Sequence, residues 1–481
     1  MGAFGAFLRK MNSFDTAITP AKQGEANLRL PVILFLSSAV FWLVVGSFLG
    51  CLAAWKLVVP SFLDGPGWLT YGRIQPAAEN ALAYGWASQA GIGLGLWLLT
   101  RLGRTALGSE RLLITAGLVW NLGVLLGVCS IFAGAGHAIK GLEFSGAAAF
   151  ILLIAYACIG VWSLILLRDR SSGGLYVSQW YLLTAFLCFP WLYATANMLL
   201  IWHPVQGSAQ GPIACWYLGS LLWLWLVPLT LAAVYYLVPH IARRPVRAYP
   251  SSVLAFWCLS FLGGWTGTRL LIGGPIPAWM VSASVAASIM MLIPATVICI
   301  NTLGTFSGRA VSPAPESSFI IFGLICFAVV VLQGAATPLI SAVTHFSDYS
   351  MGENVLVIFG FLSMALFGAS YYVVPRLTGR EFLRADASWH FLLSSWGVGT
   401  MFLSLSFGGV IQGFALYDPG VEFISSVTLA APFRAMYALG TLVFLGSCLA
   451  FAAALTRNLL GGYSPSKTPR LHSEPSEVVS V

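Results

Sequence analysis

A single carboxyl group in a long uncharged run is the first feature of this sequence that could take part in chemistry. Glu353 lies in the stretch HFSDYSMGENVLVIFGFLSMALFGASYYVVPR, residues 345–376, where residues 352–375 contain no other acidic or basic side chain. The interior of a membrane has no water to solvate an acid, so ionisable residues in such runs are rare and mark functional positions. Glu353 and the groups around it are therefore the first candidates for a functional site.

The elements that would position such a group are membrane-spanning helices. The chain has 481 residues, of which 58% are hydrophobic and only 8% charged, whereas soluble domains carry roughly 25% charged residues. We therefore predict an all-α integral membrane protein with twelve transmembrane helices. Apolar segments of the ~20 residues needed to cross a bilayer begin near Pro31, Ala77, Leu112, Ala147, Leu175, Pro212, Ser251, Ile276, Ser318, Gly352, Trp389 and Ala430.

The basic residues predict which way these helices cross the membrane. Nineteen of the 24 Lys and Arg fall in the tails and in one set of loops, which the positive-inside rule places in the cytoplasm. The mixed polar segments 1–30 and 457–481 are then flexible cytoplasmic tails around one membrane domain, residues 31–456. Because the net charge of +8 lies in short loops, it predicts no nucleic-acid partner. The five remaining basic residues are Lys56, Arg73, Lys140, Arg269 and Arg434.

Cysteine and histidine patterns exclude two kinds of cofactor site. The nine cysteines all fall inside apolar segments, and the sequence has no CxxC, no CxxCH and no Cys–His cluster. These patterns would mark a covalently bound haem or a zinc site. The cysteines are therefore interpreted as small packing residues.

Several stretches, taken in order, resemble one known family. They are GWLTYGRIQPAAENALAYGW, LYVSQWYLLTAFLCFPWLYATAN, FWCLSFLGGWTGTRLLIGGPIPAW, MLIPATVICINTLGTFSG and THFSDYSMGENVLVIFGF, with FRAMYALGTLVFLG near the end. The series resembles subunit I, the catalytic subunit of the cbb(3)-type (C-family) haem–copper cytochrome c oxidases of bacterial aerobic respiration. The resemblance covers spans 1 to 10 and span 12. It implies a twelve-helix haem–copper oxidase bundle in the bacterial cytoplasmic membrane. Its cofactors in the family are haem b and copper, and its partners are membrane-anchored c-type cytochrome subunits.

The haem-ligand positions that this resemblance implies do not hold histidine here. In the family, span 2 carries R-x-x-P-x-H-T-N-A, and the position of its histidine is Ala78 in this chain. Span 10 carries H-Y-T-D-W-T-I-G-H-V-H, whose last two histidines each bind one haem. Those positions are Glu353 and Val355. The residues that do match these two motifs are Arg73, Pro76, Asn80, Ala81, His345, Asp348 and Gly352.

The implied copper-ligand positions are also altered. The histidine of the family's W-Y-G-H in span 6 corresponds to Gly219, although Trp216 and Tyr217 match. The histidine pair of Y-I-W-A-G-P-H-H in span 7 becomes Arg269 and Leu270, and the tyrosine of that motif becomes Gly263.

These substitutions predict a protein without the family's metals. Haem iron needs an axial ligand such as imidazole, and copper needs nitrogen donors. Alanine, glycine, leucine and valine offer no side-chain lone pair, and arginine stays protonated. We therefore predict that the chain binds neither haem b nor copper and that it is catalytically inactive.

A polar cluster of Arg269 and Glu353, with Glu79 as a possible third member, is one interpretation of what fills the vacated space, because a buried guanidinium needs a carboxylate. The alternatives are that Arg269 extends to the surface while Glu353 caps its helix, or that these residues bind a substrate.

For the whole chain we expect a non-catalytic or structural subunit of a respiratory electron-transfer complex. One alternative is a carrier or binding protein that holds quinone, lipid or an ion in the emptied haem cavities. Another is an active terminal oxidase subunit, oxidising cytochrome c, reducing oxygen and translocating protons, with its cofactors bound through unforeseen ligands.

Overall fold

The computed structural model describes residues 2–63, 65–105, 110–170, 174–307 and 314–461, with side chains from residue 28 onward. The described chain folds into long helices joined by short loops. These are α1 (Gly2–Val58), α2 (71–103), α3 (Glu110–Ala133), α4 (Gly146–Arg168), α5 (Val177–Trp202), α6 (Gly207–Ala242), α7 (Tyr249–Gly263), α8 (Ala278–Phe306), α9 (Pro315–Thr344), α10 (Tyr349–Thr378), α11 (Arg384–Tyr417) and α12 (Phe423–Leu460). A short 3₁₀ turn, Gly267–Leu271, connects α7 to α8.

Three helices form the interior of the bundle. Helices α2, α6 and α10 contact one another, and almost every residue in their membrane-depth portions is buried. The other helices pack mainly on their neighbours in sequence, and α12 closes the ring by packing on α1. Large apolar side chains on the outer helices point outward, as expected for a surface that meets lipid. They include Leu118, Phe150, Trp191, Trp257 and Phe261.

Ten of these helices are long and apolar enough to cross a membrane, so the prediction of a multi-span, all-α membrane protein is confirmed. The predicted number of twelve spans is not confirmed by this count. The two helices outside it are α2, which carries Glu79 and Arg101, and α7, which has only 15 residues.

The predicted domain boundaries remain predictions. Helix α1 already begins at Gly2, within the segment assigned to an N-terminal tail. At the other end, α12 continues to Leu460, beyond the predicted boundary at residue 457. Residues 462–481 of the predicted C-terminal tail lie outside the described residues.

All three interior helices contain a π-helical segment. The extra residue in such a wider helical turn rotates the following side chains about the helix axis. The segments are Ala81–Ala87 in α2, Leu222–Leu226 in α6 and Leu356–Ser363 in α10. Such segments are rare and often occur at functional sites. Each begins within three residues of a position that the family resemblance equates with a metal ligand: Ala78, Gly219 and Val355.

Two glycines of α11 allow the end of α9 and the start of α10 to lie close against that helix. A Cβ atom on Gly413 would overlap the carbonyl oxygen of Val343, and one on Gly409 would overlap the backbone nitrogen of Tyr349. Both neighbouring atoms are backbone, which cannot rotate away as a side chain can. These glycines therefore fix the position of the segment that leads to Glu353.

We expect Gly413→Ala to destabilise the protein, because the added methyl group forces α11 away from the backbone of Val343. Overpacking of this kind costs about 1–3 kcal/mol. The matched control is Gly399→Ala on the same helix, where a Cβ meets no atom within 4 Å. Alanine is the better helix former, so the control should leave the thermal unfolding temperature in detergent unchanged or slightly raised. Equal effects of the two substitutions would contradict this packing.

Candidate functional site

Arg269 and Glu353 form an ion pair between the α7–α8 turn and the first turns of α10. Arg269 Nη2 lies 2.5 Å from Glu353 Oε1, and the two side chains are only 13% and 14% exposed. Charges removed from water to this degree require a partner, since an unpaired one costs several kcal/mol. The structure therefore brings together two of the three side chains of the predicted polar cluster.

The backbone around the pair holds Arg269 in place. Its N–H donates a hydrogen bond to Ser284 Oγ in α8 at 2.8 Å. The pair also lies against Gly334 of α9, where a Cβ would meet Glu353 Oε1 at 3.5 Å and Arg269 Nη2 at 3.6 Å. A larger side chain at position 334 would reach into the space that the two charged groups occupy.

The interpretation in which Arg269 extends to the surface and Glu353 caps its helix is wrong. The N-cap of α10 is Asp348, whose side chain makes no capping hydrogen bond, and Glu353 lies more than one turn further on. Its carboxylate reaches sideways to Arg269 instead. The capping role is therefore excluded by position, and the surface role by the burial of the guanidinium.

Glu79 belongs to a different group of side chains. Its Oε1 accepts a hydrogen bond from Gln75 at 2.9 Å, and its Oε2 lies 3.5 Å from Lys140 Nζ. This pair is half exposed on the lysine side. The expectation that Glu79 joins Arg269 and Glu353 is not met in the structure, because Lys140 takes up its charge.

The implied copper-ligand position on α6 is closed by contact between backbones. A Cβ on Gly219 would lie 2.8 Å from the Cα and 2.9 Å from the nitrogen of Gly267, so a histidine there would require the two segments to separate. Gly263 is similarly close to Trp223, with 2.7 Å between a built Cβ and the tryptophan Cβ. Leu270 is 40% exposed. With Arg269 held by Glu353, these residues do not fit a copper ion.

Two of the implied haem-ligand positions, Ala78 and Val355, surround open space. Ala78 of α2 and Val355 of α10 line one cavity of about 610 Å³. Neither side chain can donate a lone pair to iron, and the described residues hold no cluster of three or more His, Cys, Asp or Glu suited to a metal. One histidine, His137 in the α3–α4 loop, lies among the lining residues. Ala78 and Val355 therefore do not supply the axial ligands that a haem requires.

Glu143 is a buried acid in the wall of this cavity, and the sequence reasoning did not select it. Its side chain is 6% exposed, and its Oε2 accepts a hydrogen bond from Asn80 Nδ2 at 2.8 Å. Burial raises the pKa of Glu143 to about 7, an effect that the hydrogen bond from Asn80 opposes only in part. The only signal in the sequence was a lone acid between two apolar spans.

A second buried ion pair lies beside the start of α10. Arg434 of α12 donates to both carboxylate oxygens of Asp348, at 2.6 and 3.1 Å, and the two side chains are about equally buried. The N–H of Asp348 donates to Gln412 in α11. Arg434, one of the five basic residues outside the predicted cytoplasmic segments, lies inside α12 and connects that helix to α10.

We expect Arg269 and Glu353 to be energetically coupled. Removing one partner of a buried pair leaves an uncompensated charge and costs roughly 3–5 kcal/mol, whereas replacing both with apolar residues is often neutral. Arg269→Leu and Glu353→Leu should each lower thermal stability in detergent, and the double substitution should recover much of the loss. Glu353→Leu should be the more damaging, because a stranded carboxylate can take up a proton and a guanidinium cannot give one up.

The matched control is the more exposed pair of Arg457 and Asp386, which joins α12 to α11 at 2.8 Å. Exposed pairs contribute about 0–1 kcal/mol, so the same cycle there should give little coupling. Strictly additive losses at Arg269 and Glu353 would show that the two groups do not interact.

Comparison with known proteins identifies the fold and the family. The family model described as Cytochrome C and Quinol oxidase polypeptide I matches residues 30–443. The cbb3-type cytochrome c oxidase subunit CcoN1 of Stutzerimonas stutzeri is 24% identical over 436 residues, covering 87% of this chain and 92% of that protein. A cytochrome c oxidase subunit 1 homolog of Agrobacterium tumefaciens is 25% identical over 475 residues, covering 92% and 86%.

The fold agrees with these relatives. A haem–copper terminal oxidase dimer solved by cryo-electron microscopy superposes with a TM-score of 0.76 at 14% identity, over 92% of this chain and 85% of that one. The cbb(3)-type resemblance is thereby confirmed, and the chain belongs to the cytochrome c and quinol oxidase polypeptide I family.

Proposed function

We propose that this chain is a subunit I-like membrane protein of a respiratory electron-transfer complex and that it does not itself reduce oxygen. The observation that carries the proposal is the state of the implied copper position. An Arg269–Glu353 ion pair and a backbone contact between Gly219 and Gly267 take up the places where nitrogen donors would be needed. A protonated arginine repels a metal cation and offers it no lone pair.

The retained architecture supports a role that needs the fold. The π-helical segments of α2, α6 and α10 follow Ala78, Gly219 and Val355, so the backbone is irregular at positions whose side chains offer no metal donor. Segments of this kind are rare and often occur at functional sites. Docking to other subunits requires the overall fold, whereas oxygen chemistry requires the ligands as well.

The partners in this proposal are the membrane-anchored c-type cytochrome subunits of an oxidase-like complex. Support comes from the relatives, of which one is named as a subunit of a cbb3-type oxidase. The proposal also places all of α1–α12 across the bacterial cytoplasmic membrane, with both termini in the cytoplasm. Its basis is the one-sided distribution of basic residues.

Reporter fusions test the orientation. Fusions at Ser172 and Ser466, which both lie outside the described residues, should report the cytoplasm, and a fusion directly after His203 should report the opposite side. The reason is that His203 directly follows α5, at the end away from Arg168 and Arg170. A signal from the opposite side at Ser466 would rule out an even number of spans.

The purified chain should carry no haem b and no copper. A pyridine haemochrome assay, a reduced-minus-oxidised spectrum and metal analysis, all on protein free of partner subunits, measure this directly. Stoichiometric haem would overturn the proposal, and His137→Ala would then show whether His137 is the ligand, because it lines the cavity.

A gain-of-ligand variant provides the positive control. Ala78→His combined with Val355→His places two imidazoles at positions that line the same cavity. Two imidazoles are a suitable axial set for haem iron. The double variant should therefore acquire a haem b spectrum that neither single variant shows. The matched control, Gly219→His, should lower stability without binding metal, because its Cβ overlaps Gly267.

A second candidate function, the binding of quinone, lipid or an ion in the cavity, is compatible with the first. The cavity between Ala78 and Val355 has a volume in the range of small-molecule sites, roughly 300–1,000 Å³. This observation favours a binding role over a purely structural one.

A further inference from the structure

The cavity beside Ala78 and Val355 has a polar mouth and an apolar floor. Gly72 and Lys140 are exposed at the mouth, while Leu82 and Val355 are 3% and 5% exposed at the floor. A ligand that matches both parts is amphiphilic. A small polar ion would leave the apolar floor unfilled, and a hydrocarbon would leave the charged groups without partners.

Arg73 at the mouth has no carboxylate partner among the described residues. Its guanidinium donates to a neutral group, the carbonyl oxygen of Phe132 at 2.8 Å. The two acids of the cavity wall are bonded elsewhere: Glu79 pairs with Lys140, and the buried Glu143 accepts a hydrogen bond from Asn80. The charge of Arg73 is therefore the one at the mouth that an anionic ligand could pair with.

We propose that this cavity binds an anionic amphiphile, with its acidic headgroup at Arg73 and its hydrocarbon chain between Leu82 and Phe359. The inference rests on the proposed function, since a haem in the same cavity would exclude the ligand. The headgroup is a carboxylate or a phosphate, as in a fatty acid or a phospholipid. A neutral quinone headgroup would leave the charge of Arg73 uncompensated.

Protonation of Glu143 adjusts the charge of the cavity. The other titratable groups that line the cavity are Tyr71, Arg73 and Glu79 from α2, His137 and Lys140 from the α3–α4 loop, and Tyr437 from α12. Tyr84 of α2 and Tyr217 of α6 also lie close to Glu143, and α10 contributes none. With its pKa near 7, Glu143 is neutral below that pH and ionised above it. The wall therefore becomes more positive as the pH falls, and a permanently charged anionic ligand should bind more tightly.

The test uses the full-length protein in neutral detergent and measures binding by displacement of radiolabelled palmitate. Palmitate and palmitoyl lysophosphatidate represent the two sources of headgroup, and the ratio of their dissociation constants shows which headgroup the site prefers. Hexadecanol, decyl-ubiquinone and inorganic phosphate are the neutral and chain-free controls. Both anionic amphiphiles should bind, and each control should bind at least roughly tenfold more weakly.

Variants locate the site. Arg73→Leu should weaken palmitate binding by roughly tenfold or more, because a charge-assisted hydrogen bond is lost, and Arg73→Lys should restore part of it. Arg168→Leu is the matched control, since Arg168 is exposed to solvent at the end of α4 away from the cavity. If Arg73→Leu fails to fold, Ala78→Phe fills the cavity from its floor and should abolish binding.

The pH dependence adds an independent readout. Hexadecanesulfonate keeps its charge at all relevant pH values, so a change in its affinity reports the protein. Its binding should strengthen from about pH 8 to about pH 6, and Glu143→Gln should remove most of this change.

The outcomes separate the two proposals. A haem spectrum in the same preparation overturns the proposed function. A preparation free of haem that binds none of the amphiphiles overturns only the ligand inference. Equal binding of hexadecanol or decyl-ubiquinone would show a neutral-ligand site, and equal binding of inorganic phosphate would show an ion site; either result overturns the anionic amphiphile.

Discussion

The lack of water in the bilayer is the constraint on which the rest of this structure depends. A charged or polar group between transmembrane helices must find its partner within the protein, because lipid offers none. Arg269 finds Glu353, and Arg434 finds Asp348. Both pairs connect α10 to another part of the bundle. These polar contacts help to fix how α10 is placed, together with the close packing of its first residues against Gly409 of α11.

The two regions that the family resemblance equates with metal sites are packed differently. Around Gly219 the backbones of α6 and of the α7–α8 turn are in contact, and a charged pair fills the adjoining space. Around Ala78 and Val355 the side chains are small or short and line a cavity of about 610 Å³. A closed region resists refilling because backbone atoms cannot rotate away. An open region lined by charges remains able to bind a ligand.

Large aromatic side chains pack between α2, α5 and α6. Trp225 of α6 stacks on Phe189 of α5 with 3.7 Å between ring centroids, and Tyr84 of α2 and Tyr217 of α6 share a hydrogen bond of 2.6 Å. Such side chains contribute large buried areas and find partners for their polar atoms. These contacts among the chain's own side chains therefore help to hold the interior of the bundle together.

The sequence by itself determined the class, the family and the residues at stake. Its low charge content required membrane helices, its ordered motifs indicated the oxidase fold, and the isolated acid Glu353 marked the interior. Only the tertiary structure decided which charges meet. The family resemblance offered the Arg269–Glu353 pair as one of several interpretations, and the structure selects it while pairing Glu79 with Lys140 instead. The burial of Glu143 likewise depends on how a loop folds onto α2. Composition and periodicity report what each helix exposes, but partners across helices are set by packing.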